Sequence, residues 1–275
     1  MNLFRGSNHA ASYSKFRPSY PAELLKTILD FLGEKHPPPY RHAVDVGCGT
    51  GQSTQYLAGS FQQVTGADVS EAQIEEANKN EKISNVTYKV GMDSSIPCDD
   101  NSVDLVTAAQ AAHWFDFDKF YAEVDRILRP NGCLAIYGYT VPSIVYGDKT
   151  EAASQLLAEF RRKFILGHEG SDYVKRITKI DTRYKDVEMP YPSSTRVDSL
   201  HFELPVTVDW IIGYLTSWSS YQTYLKKNPT DLDFLTRQFK DKLLTALGDP
   251  EMGSNTPVTM RYPVFLLMSR KPDEG

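Results

Sequence analysis

The chain has 275 residues, of which 41% are hydrophobic and 24% charged, a balance typical of a globular protein with a substantial core. The net charge of −5 disfavours a nucleic-acid-binding function, because such proteins usually carry a basic face. No apolar run reaches membrane-spanning length, and the opening residues lack the apolar segment of a signal peptide.

The three cysteines, Cys48, Cys98 and Cys133, have neither the spacing of a metal site nor that of a disulfide framework. We therefore expect reduced thiols in a cytoplasmic protein. The histidines show no metal-binding spacing either, so the sequence predicts no metal centre.

The first predicted element follows a polar segment. Residues 1–20 carry spaced aromatic side chains but lack the periodicity of a core helix or strand. Residues 21–33 predict a helix, because proline stands in its first turn, glycine follows its end, and aliphatic side chains recur on one face.

Between residues 40 and 139, short apolar segments alternate with amphipathic segments. Repeated β-α units of this kind predict a parallel sheet covered by helices on both faces. The predicted strands are 43–47, 63–67, 86–91, 103–108 and 133–139, and the predicted helices are 52–60, 71–80 and 117–129.

Residues 140–200 interrupt this rhythm, since they are polar and contain one helical stretch near 150–166, and we predict an inserted cap. Two further strands, at 201–206 and 257–270, complete an α/β fold with a doubly wound, mostly parallel, seven-stranded sheet. The predicted parts of the chain are 1–20, a core at 21–139, the insertion at 140–200 and a C-terminal part at 201–275 with helices at 208–218 and 231–247.

The sharpest local signal is the segment Val44-Asp-Val-Gly-Cys-Gly-Thr-Gly51, where a predicted strand runs into a glycine-rich turn that opens a helix. Glycines allow a tight turn and the close approach of a ligand, and a helix start offers free N–H groups. Gly47, Gly49 and Gly51 therefore predict a cofactor-binding platform.

The glycine spacing alone does not name the cofactor. A dinucleotide-binding fingerprint has the pattern G-x-G-x-x-G, whereas this chain has G-x-G-x-G, and Gln52 takes the third-glycine position. Asp68 closes the second predicted strand, 21 residues after Gly47, where a carboxylate can accept hydrogen bonds from both hydroxyls of a ribose. This arrangement fits NAD and S-adenosylmethionine equally well.

Further segments follow in the order found in class I, Rossmann-like S-adenosylmethionine-dependent methyltransferases with a type 11 domain. Residues 44–51 resemble motif I of that family, Asp68 resembles its ribose-binding acid, and Gly91-Met-Asp93 resembles the loop whose acid binds the adenine amino group. Residues 102–114 are similar to the fourth strand and its loop, and 126–132 to the turn before the fifth strand. The resemblance implies S-adenosylmethionine as cofactor and methyl transfer as activity.

Residues 13–21, Tyr-Ser-Lys-Phe-Arg-Pro-Ser-Tyr-Pro, resemble the N-terminal lid of trans-aconitate methyltransferase-like proteins, and residues 112–116 are also similar to that group. In such a lid, Tyr13 and Tyr20 would cover the sulfonium. Arg17 would bind a carboxylate of the cofactor or the substrate, because a guanidinium matches two carboxylate oxygens. The alternative is a solvated arm with no role at the site.

The expected cofactor-binding set extends beyond the glycines. Asp45 lies inside an apolar strand and would bind the ammonium group of the cofactor, with structural bonds to loop N–H groups as the alternative. Asp68 would bind ribose unless it caps the next helix, a role that Ser70 could fill, and Asp93 would bind adenine unless it is a turn residue. The full predicted set is Tyr13, Arg17, Tyr20, Asp45, Gly47, Cys48, Gly49, Gly51, Gln52, Asp68, Val69, Met92, Asp93, Ala109 and Gln110.

His113 follows the fourth predicted strand, where a methyl acceptor should lie, and is the candidate catalytic base. Next to Trp114 it can also be a packed structural residue. Because this base candidate is weak, we expect an acceptor that is already ionised, such as a carboxylate.

Three functions stay open at this point. The first is methyl transfer from S-adenosylmethionine to a small molecule, with the insertion as a substrate cap. The second is an NAD-dependent oxidoreductase, which the missing third glycine disfavours, and the third is a non-catalytic S-adenosylmethionine-binding module. We expect neither nucleic acid nor membrane as a partner, and a monomer and a homodimer are both open.

Overall fold

The computed structural model describes residue 16 and residues 18–166, 172–248 and 253–273. The strands are β1 (Tyr40–Val46), β2 (Phe61–Asp68), β3 (Val86–Val90), β4 (Val103–Ala109), β5 (Leu128–Tyr139), β6 (Ser143–Val145), β7 (Ser193–Val197), β8 (His201–Thr207) and β9 (Pro257–Arg270). The α-helices are α1 (Ala22–Gly33), α2 (Thr54–Leu57), α3 (Glu71–Asn80), α4 (Phe117–Ile127), α5 (Thr150–Leu166), α6 (Asp172–Asp181), α7 (Val208–Thr216), α8 (Ser219–Lys227) and α9 (Leu232–Leu247).

Strands β1 to β5 are parallel and lie in the order β3-β2-β1-β4-β5, and β9 pairs with β5 as an antiparallel neighbour. The strand order reverses between β1 and β4. In open α/β sheets, a ligand binds at such a reversal, outside the carboxyl ends of the strands.

In the described part of the chain, the sheet has nine strand segments, but they occupy seven positions. Along one side of β9, β6 continues the pairing begun by β5, and the N–H of Thr140 donates to the carbonyl of Pro263 between them. Along the other side, β7 and β8 follow one another in the same way, joined by the bond from Val264 N–H to the Leu200 carbonyl. The predicted α/β fold with a mostly parallel sheet is confirmed. The predicted count of seven strands is corrected to nine, because a short break divides the strand at each of two positions.

Each face of the sheet carries its own hydrophobic cluster. Ala43 and Leu105 point to the face covered by α1, α3, α7 and α9, whereas Val44 and Val106 point to the face covered by α4. Because helices cover both faces, β4 is buried along nearly its whole length, and its side chains are apolar except for Asp104 and Thr107.

Two predicted boundaries were wrong. The helix predicted at 52–60 is the single turn of α2, because the glycine turn extends to its start. The helix predicted at 117–129 ends at Ile127, and the predicted turn at 129–132 is a bulge within β5, between the paired residues Leu128 and Cys133.

The region 140–200, predicted as one inserted cap, is divided between the two faces. Its helix α5 packs with α8 and α9, where the rings of Phe160 and Phe239 lie 4.8 Å apart. The residues after α6 cover the opposite face through Tyr184 and Tyr191, and β7 then joins the sheet. The sequence pattern missed β7 because its residues are mostly exposed and polar.

The last residues of β9 hold a helix on each face. The guanidinium of Arg270 donates to the carbonyls of Phe31 and Leu32 at the end of α1. The ammonium of Lys271 donates to the carbonyls of Asp125 and Leu128 at the end of α4. Cations suit these positions, because the last carbonyls of a helix lack intrahelical partners and carry partial negative charge.

Candidate active site at the carboxyl edge of the sheet

The glycine turn after β1 is anchored to the neighbouring strand. The N–H groups of Gly47 and Cys48 both donate to the carbonyl of Ala67, at 2.7 and 3.1 Å. Gly47, Gly49 and Gly51 have φ angles of 73°, 56° and 88°, a region that favours glycine. The turn is therefore a fixed part of the edge between β1 and β2.

The three glycines face different surroundings. A Cβ atom on Gly51 would lie 2.1 Å from the hydroxyl of Tyr88, and one on Gly47 would lie 2.5 Å from the Cβ of Ala111. Among the residues that the structure describes, a Cβ atom on Gly49 would meet nothing within 4 Å. Gly49 thus faces open space, as expected where backbone must approach a ligand.

Asp68 ends β2 directly beside this space. One carboxylate oxygen accepts the N–H of Gly49 at 2.9 Å and the other accepts the N–H of Ser70 at 2.8 Å. Burial raises the pKa of Asp68, although these hydrogen bonds oppose the shift. Each oxygen keeps a further lone pair for a ligand. The side chain of Ser70, not Asp68, caps α3 by accepting the N–H of Gln73.

Asp45 is fully buried in β1 below the turn. Its carboxylate accepts the hydroxyl of Thr54 at 2.7 Å and that of Thr107 at 2.9 Å, rather than the loop N–H groups considered above. Burial raises the pKa of Asp45 to about 6, against the effect of both hydroxyls. Sequence reasoning missed the two threonines, although Thr107, a polar residue in an apolar strand, lies opposite Asp45 in the β1–β4 register.

Apolar side chains border Asp68 on the β3 side. Val69 is 68% exposed and Met92 is 49% exposed, which is unusual for large apolar residues and leaves them available to a ligand. The neighbouring Asp93 uses one carboxylate oxygen to accept the N–H of Asp116 at 2.8 Å. Its predicted adenine contact stays a prediction, and Asp93 already holds the loop that follows β4.

Cys48 and Gln52 belong to the glycine turn itself. The thiol of Cys48 is buried beneath the turn, and burial raises its pKa well above the ordinary value. Gln52 is half-buried just before α2. Both predicted contacts with the cofactor stay predictions.

Ala109 and Gln110 end β4 at the strand reversal. Gln110 has a φ of 52°, and its side-chain amide pairs with the backbone of Tyr139, donating to the carbonyl at 3.0 Å and accepting the N–H at 3.2 Å. The amide therefore joins β4 to β5 where the strands end, and it fixes the start of the next loop.

Tyr20 is the one predicted lid residue among the described residues, since Tyr13 and Arg17 lie outside them. Its ring packs edge-on against Tyr137, with centroids 4.9 Å apart. The hydroxyl of Tyr137 in turn lies 2.6 Å from that of Ser53 in the glycine turn. The N-terminal segment thus contacts the carboxyl end of β5, next to the glycine turn.

His113 is buried in a short 3₁₀ turn after β4. Its Nδ1 lies 3.0 Å from the hydroxyl of Tyr184. Burial and the positive charge of Arg176 lower the pKa of His113 to about 3. A ring with this pKa is neutral at pH 7 and is a weak base, although its catalytic role stays a prediction.

The described residues contain neither a candidate metal site nor a helix that could cross a membrane. Among residues 18–166, 172–248 and 253–273, no group of three or more His, Cys, Asp or Glu side chains could hold a metal ion. Within the same described part of the chain, none of the helices combines the length and apolar character needed to cross a membrane.

Comparisons with known proteins identify the family of this chain. Residues 44–136 match the family model described as a methyltransferase domain. A Dictyostelium discoideum protein named as a methyltransferase is 33% identical over 261 residues, which cover 94% of this chain and 92% of the relative. A Saccharomyces cerevisiae protein described as an S-adenosylmethionine-dependent methyltransferase is 26% identical over 95% of each chain.

A solved structure has the same fold. A protein from Anaeromyxobacter dehalogenans described as a type II methyltransferase superposes with a TM-score of 0.72, at 26% identity, over 94% of this chain and 99% of its own. Phosphoethanolamine N-methyltransferase 2 of Haemonchus contortus, solved with S-adenosyl-L-methionine, has a TM-score of 0.50 over 98% of this chain and 59% of its own.

A doubly wound sheet with a glycine turn after β1 and a carboxylate at the end of β2 defines the Rossmann-like class of cofactor-binding enzymes. Within that class, the chain belongs to the methyltransferase family and is an S-adenosylmethionine-dependent methyltransferase. The predicted family, enzyme class and cofactor are confirmed, and the oxidoreductase alternative is set aside.

Proposed function

We propose that this enzyme transfers the methyl group of S-adenosylmethionine to a small-molecule acceptor whose reacting group is a carboxylate. The main support is the environment of His113, the candidate base. Its ring is buried and has a pKa of about 3. A base works best when its pKa lies near the working pH, so His113 is poorly suited to deprotonate a hydroxyl or a carbon. A carboxylate is ionised at neutral pH and needs no base.

The residues at the carboxyl edge fit the cofactor. Gly49 faces open space, and the free lone pairs of Asp68 suit the two ribose hydroxyls. The exposed side chains of Val69 and Met92 suit the faces of an adenine ring. Asp45 places a carboxylate below the turn, where we propose that it attracts the ammonium group of the cofactor.

S-adenosylmethionine supplies a methyl carbon that is activated by positively charged sulfur. An acceptor carboxylate forms the new oxygen–carbon bond as the carbon–sulfur bond breaks, with no proton to remove. The protein therefore has to align the reactants and exclude water. Tyr20, packed edge-on against Tyr137 at the end of β5, is placed for the second task, and we retain Tyr13 and Arg17 as further lid residues.

The test is turnover against pairs of small molecules that differ only in the reacting group. Each carboxylic acid is assayed beside its amide and its alcohol, and formation of S-adenosylhomocysteine is measured. We expect turnover with a carboxylic acid and none with its two partners. Turnover with amines or alcohols only would overturn the carboxylate assignment. Tight cofactor binding without turnover on any molecule would favour the non-catalytic binding module.

We also propose a cytoplasmic location, without nucleic acid or membrane as a partner. The support is the net charge of −5 and the three cysteines, which are all free thiols.

A further inference from the structure

The loop after β4 packs directly against the glycine turn. We refer to residues 111–116 as the post-β4 loop. A Cβ atom added to Gly47 would lie 2.5 Å from the Cβ of Ala111 and 3.3 Å from the ring of Phe115. The two segments are therefore in van der Waals contact, and a shift of the loop would change the space available to the turn.

The other side of the post-β4 loop is held by two residues of the inserted region. The hydroxyl of Tyr184 accepts the N–H of His113 at 2.9 Å and lies 3.0 Å from its Nδ1. Arg176 on α6 donates to the carbonyls of His113 and Trp114, at 3.3 and 2.6 Å. Three backbone groups and one ring nitrogen of the loop are thus bound by side chains from outside the cofactor-binding core.

The hydrogen-bond pattern assigns a role to each atom. Because the His113 ring is neutral, Tyr184 can donate its hydroxyl proton to Nδ1 while its oxygen accepts the backbone N–H. Tyr184 is fully buried and has a φ of 52°, an uncommon conformation for a residue with a large side chain. Such a residue is held in place by its surroundings, which gives the hydroxyl a fixed position.

We propose that Tyr184 and Arg176 are positioning residues for the cofactor site, acting through His113 and the post-β4 loop on the glycine turn. In this arrangement His113 holds the post-β4 loop in place through its bonds to Tyr184, and it does not take a proton from the acceptor. The inference rests on the proposed function, because it takes the turn around Gly47 and Gly49 as the place where the cofactor binds.

The first test compares two tyrosines of the same hydrophobic cluster. Tyr184→Phe removes the hydroxyl that binds the loop. Tyr191→Phe is the matched control, since that hydroxyl binds Asp125 on α4, 3.0 Å away, and not the loop. Affinity for S-adenosylhomocysteine is measured by calorimetry, hydrogen exchange is followed at residues 111–116, and thermal unfolding reports stability.

We expect Tyr184→Phe to raise the dissociation constant about tenfold and to speed exchange in the loop, whereas Tyr191→Phe should change the constant less than twofold. Equal affinities in the two variants would overturn the proposal, even if both melt at a lower temperature. A general loss of stability would affect both variants. The difference in affinity for S-adenosylhomocysteine therefore separates a positioning role of Tyr184 from a packing role.

The second test uses His113. In His113→Asn, the amide oxygen can stand where Nδ1 stands and accept the same hydroxyl, but the residue cannot act as a base. We expect this variant to bind S-adenosylhomocysteine within twofold of the wild type, and His113→Leu to bind as weakly as Tyr184→Phe. Equal losses in the asparagine and leucine variants would contradict the proposed bond.

Variants of Arg176 provide a third, independent test. Arg176→Ala should weaken binding of S-adenosylhomocysteine, and Arg176→Lys should restore part of it, since an ammonium can still reach one carbonyl. Arg161→Ala, which breaks the ion pair with Asp181, is the control and should leave the affinity unchanged. If Arg176→Ala behaves like Arg161→Ala, the arginine does not position the loop.

Failure of the positioning role can be distinguished from failure of the proposed function. If Asp68→Ala also binds S-adenosylhomocysteine normally, the cofactor site itself is misassigned. If Asp68→Ala loses binding while Tyr184→Phe, His113→Leu and Arg176→Ala keep it, only the positioning role fails.

Discussion

Two aspartates, Asp45 on β1 and Asp104 on β4, are fully buried in neighbouring strands at opposite edges of the sheet. Asp104 accepts the backbone N–H groups of Arg41 and His42. It also lies 3.1 Å from the guanidinium of Arg129. Asp104 is therefore supplied with both hydrogen bonds and positive charge.

Asp45 has a different environment. Among the residues that the structure describes, its oxygens accept only the hydroxyls of Thr54 and Thr107. A buried carboxylate without a cation is costly, whereas one with hydrogen bonds and a cation is compensated. The comparison teaches that burial alone does not mark function. The uncompensated carboxylate lies at the ligand-binding edge, and the compensated one lies at the opposite edge.

Asp104→Ala should have the largest effect, on stability. It leaves the N–H groups of Arg41 and His42 and the charge of Arg129 without their partner, a loss typically of about 3–5 kcal/mol in free energy of unfolding. The partial exposure of Arg129 favours the lower end of that range. Urea unfolding measures it, with the exposed Asp100→Ala as a control expected to cost less than about 1 kcal/mol. Folded Asp104→Ala should bind S-adenosylhomocysteine normally. Loss of this binding would show that Asp104, like Asp45, contributes to the cofactor site.

Asp45 should make stability depend on pH. Its pKa is about 6 in the folded protein and ordinarily 3.8, so between these values the folded chain holds a proton that the unfolded chain has released. Stability should therefore be fully present below about pH 4 and fall as the pH rises through 6. About two pKa units correspond to about 3 kcal/mol.

Asp45→Asn removes this dependence. Urea unfolding of both proteins at pH 4 and pH 7 should show the wild type losing about 2.4 kcal/mol relative to the variant between the two pH values. A constant difference between wild type and variant would show that Asp45 does not titrate in this range.

Asp68→Ala should act mainly on affinity, although it also leaves the N–H groups of Gly49 and Ser70 without their acceptor. Loss of charge-assisted hydrogen bonds to the ribose should raise the dissociation constant for S-adenosylhomocysteine about a hundredfold, or about 2.7 kcal/mol, with the melting temperature little changed. The control is Glu71→Ala, an exposed carboxylate in the first turn of the next helix. Normal binding by folded Asp68→Ala would remove the ribose assignment and leave Asp45 as the main acidic candidate at this edge.

Local pattern was enough to predict the glycine turn and the place of Asp68. Both depend on residues that are neighbours along one β-α-β unit, so backbone geometry fixes them. The same reasoning that selected Asp45, an acid inside an apolar strand, applies equally to Asp104, yet Asp104 was not selected. Sequence spacing cannot show that the guanidinium of Arg129 lies against Asp104, or that Asp45 meets no cation among the described residues.

The environment of His113 was beyond prediction for a related reason. Its place after β4 follows from the motif order, but its low pKa depends on Arg176 and on burial beneath Tyr184. Both residues come from a region whose polar composition predicted a separate cap. Nothing in that composition indicates that the region divides between the two faces, because the division is decided by long-range packing.

The helix contacts of Arg270 and Lys271 have a consequence for folding on the ribosome. β9 is the last strand of the sheet in chain order, yet it lies between β5 and β7. Until residues 257–271 emerge, β5 has an unpaired edge, and α1 and α4 lack the cations at their ends. We therefore expect the nascent chain to stay open at β5 until these residues emerge, with the sheet closing and both helix ends being secured in one step.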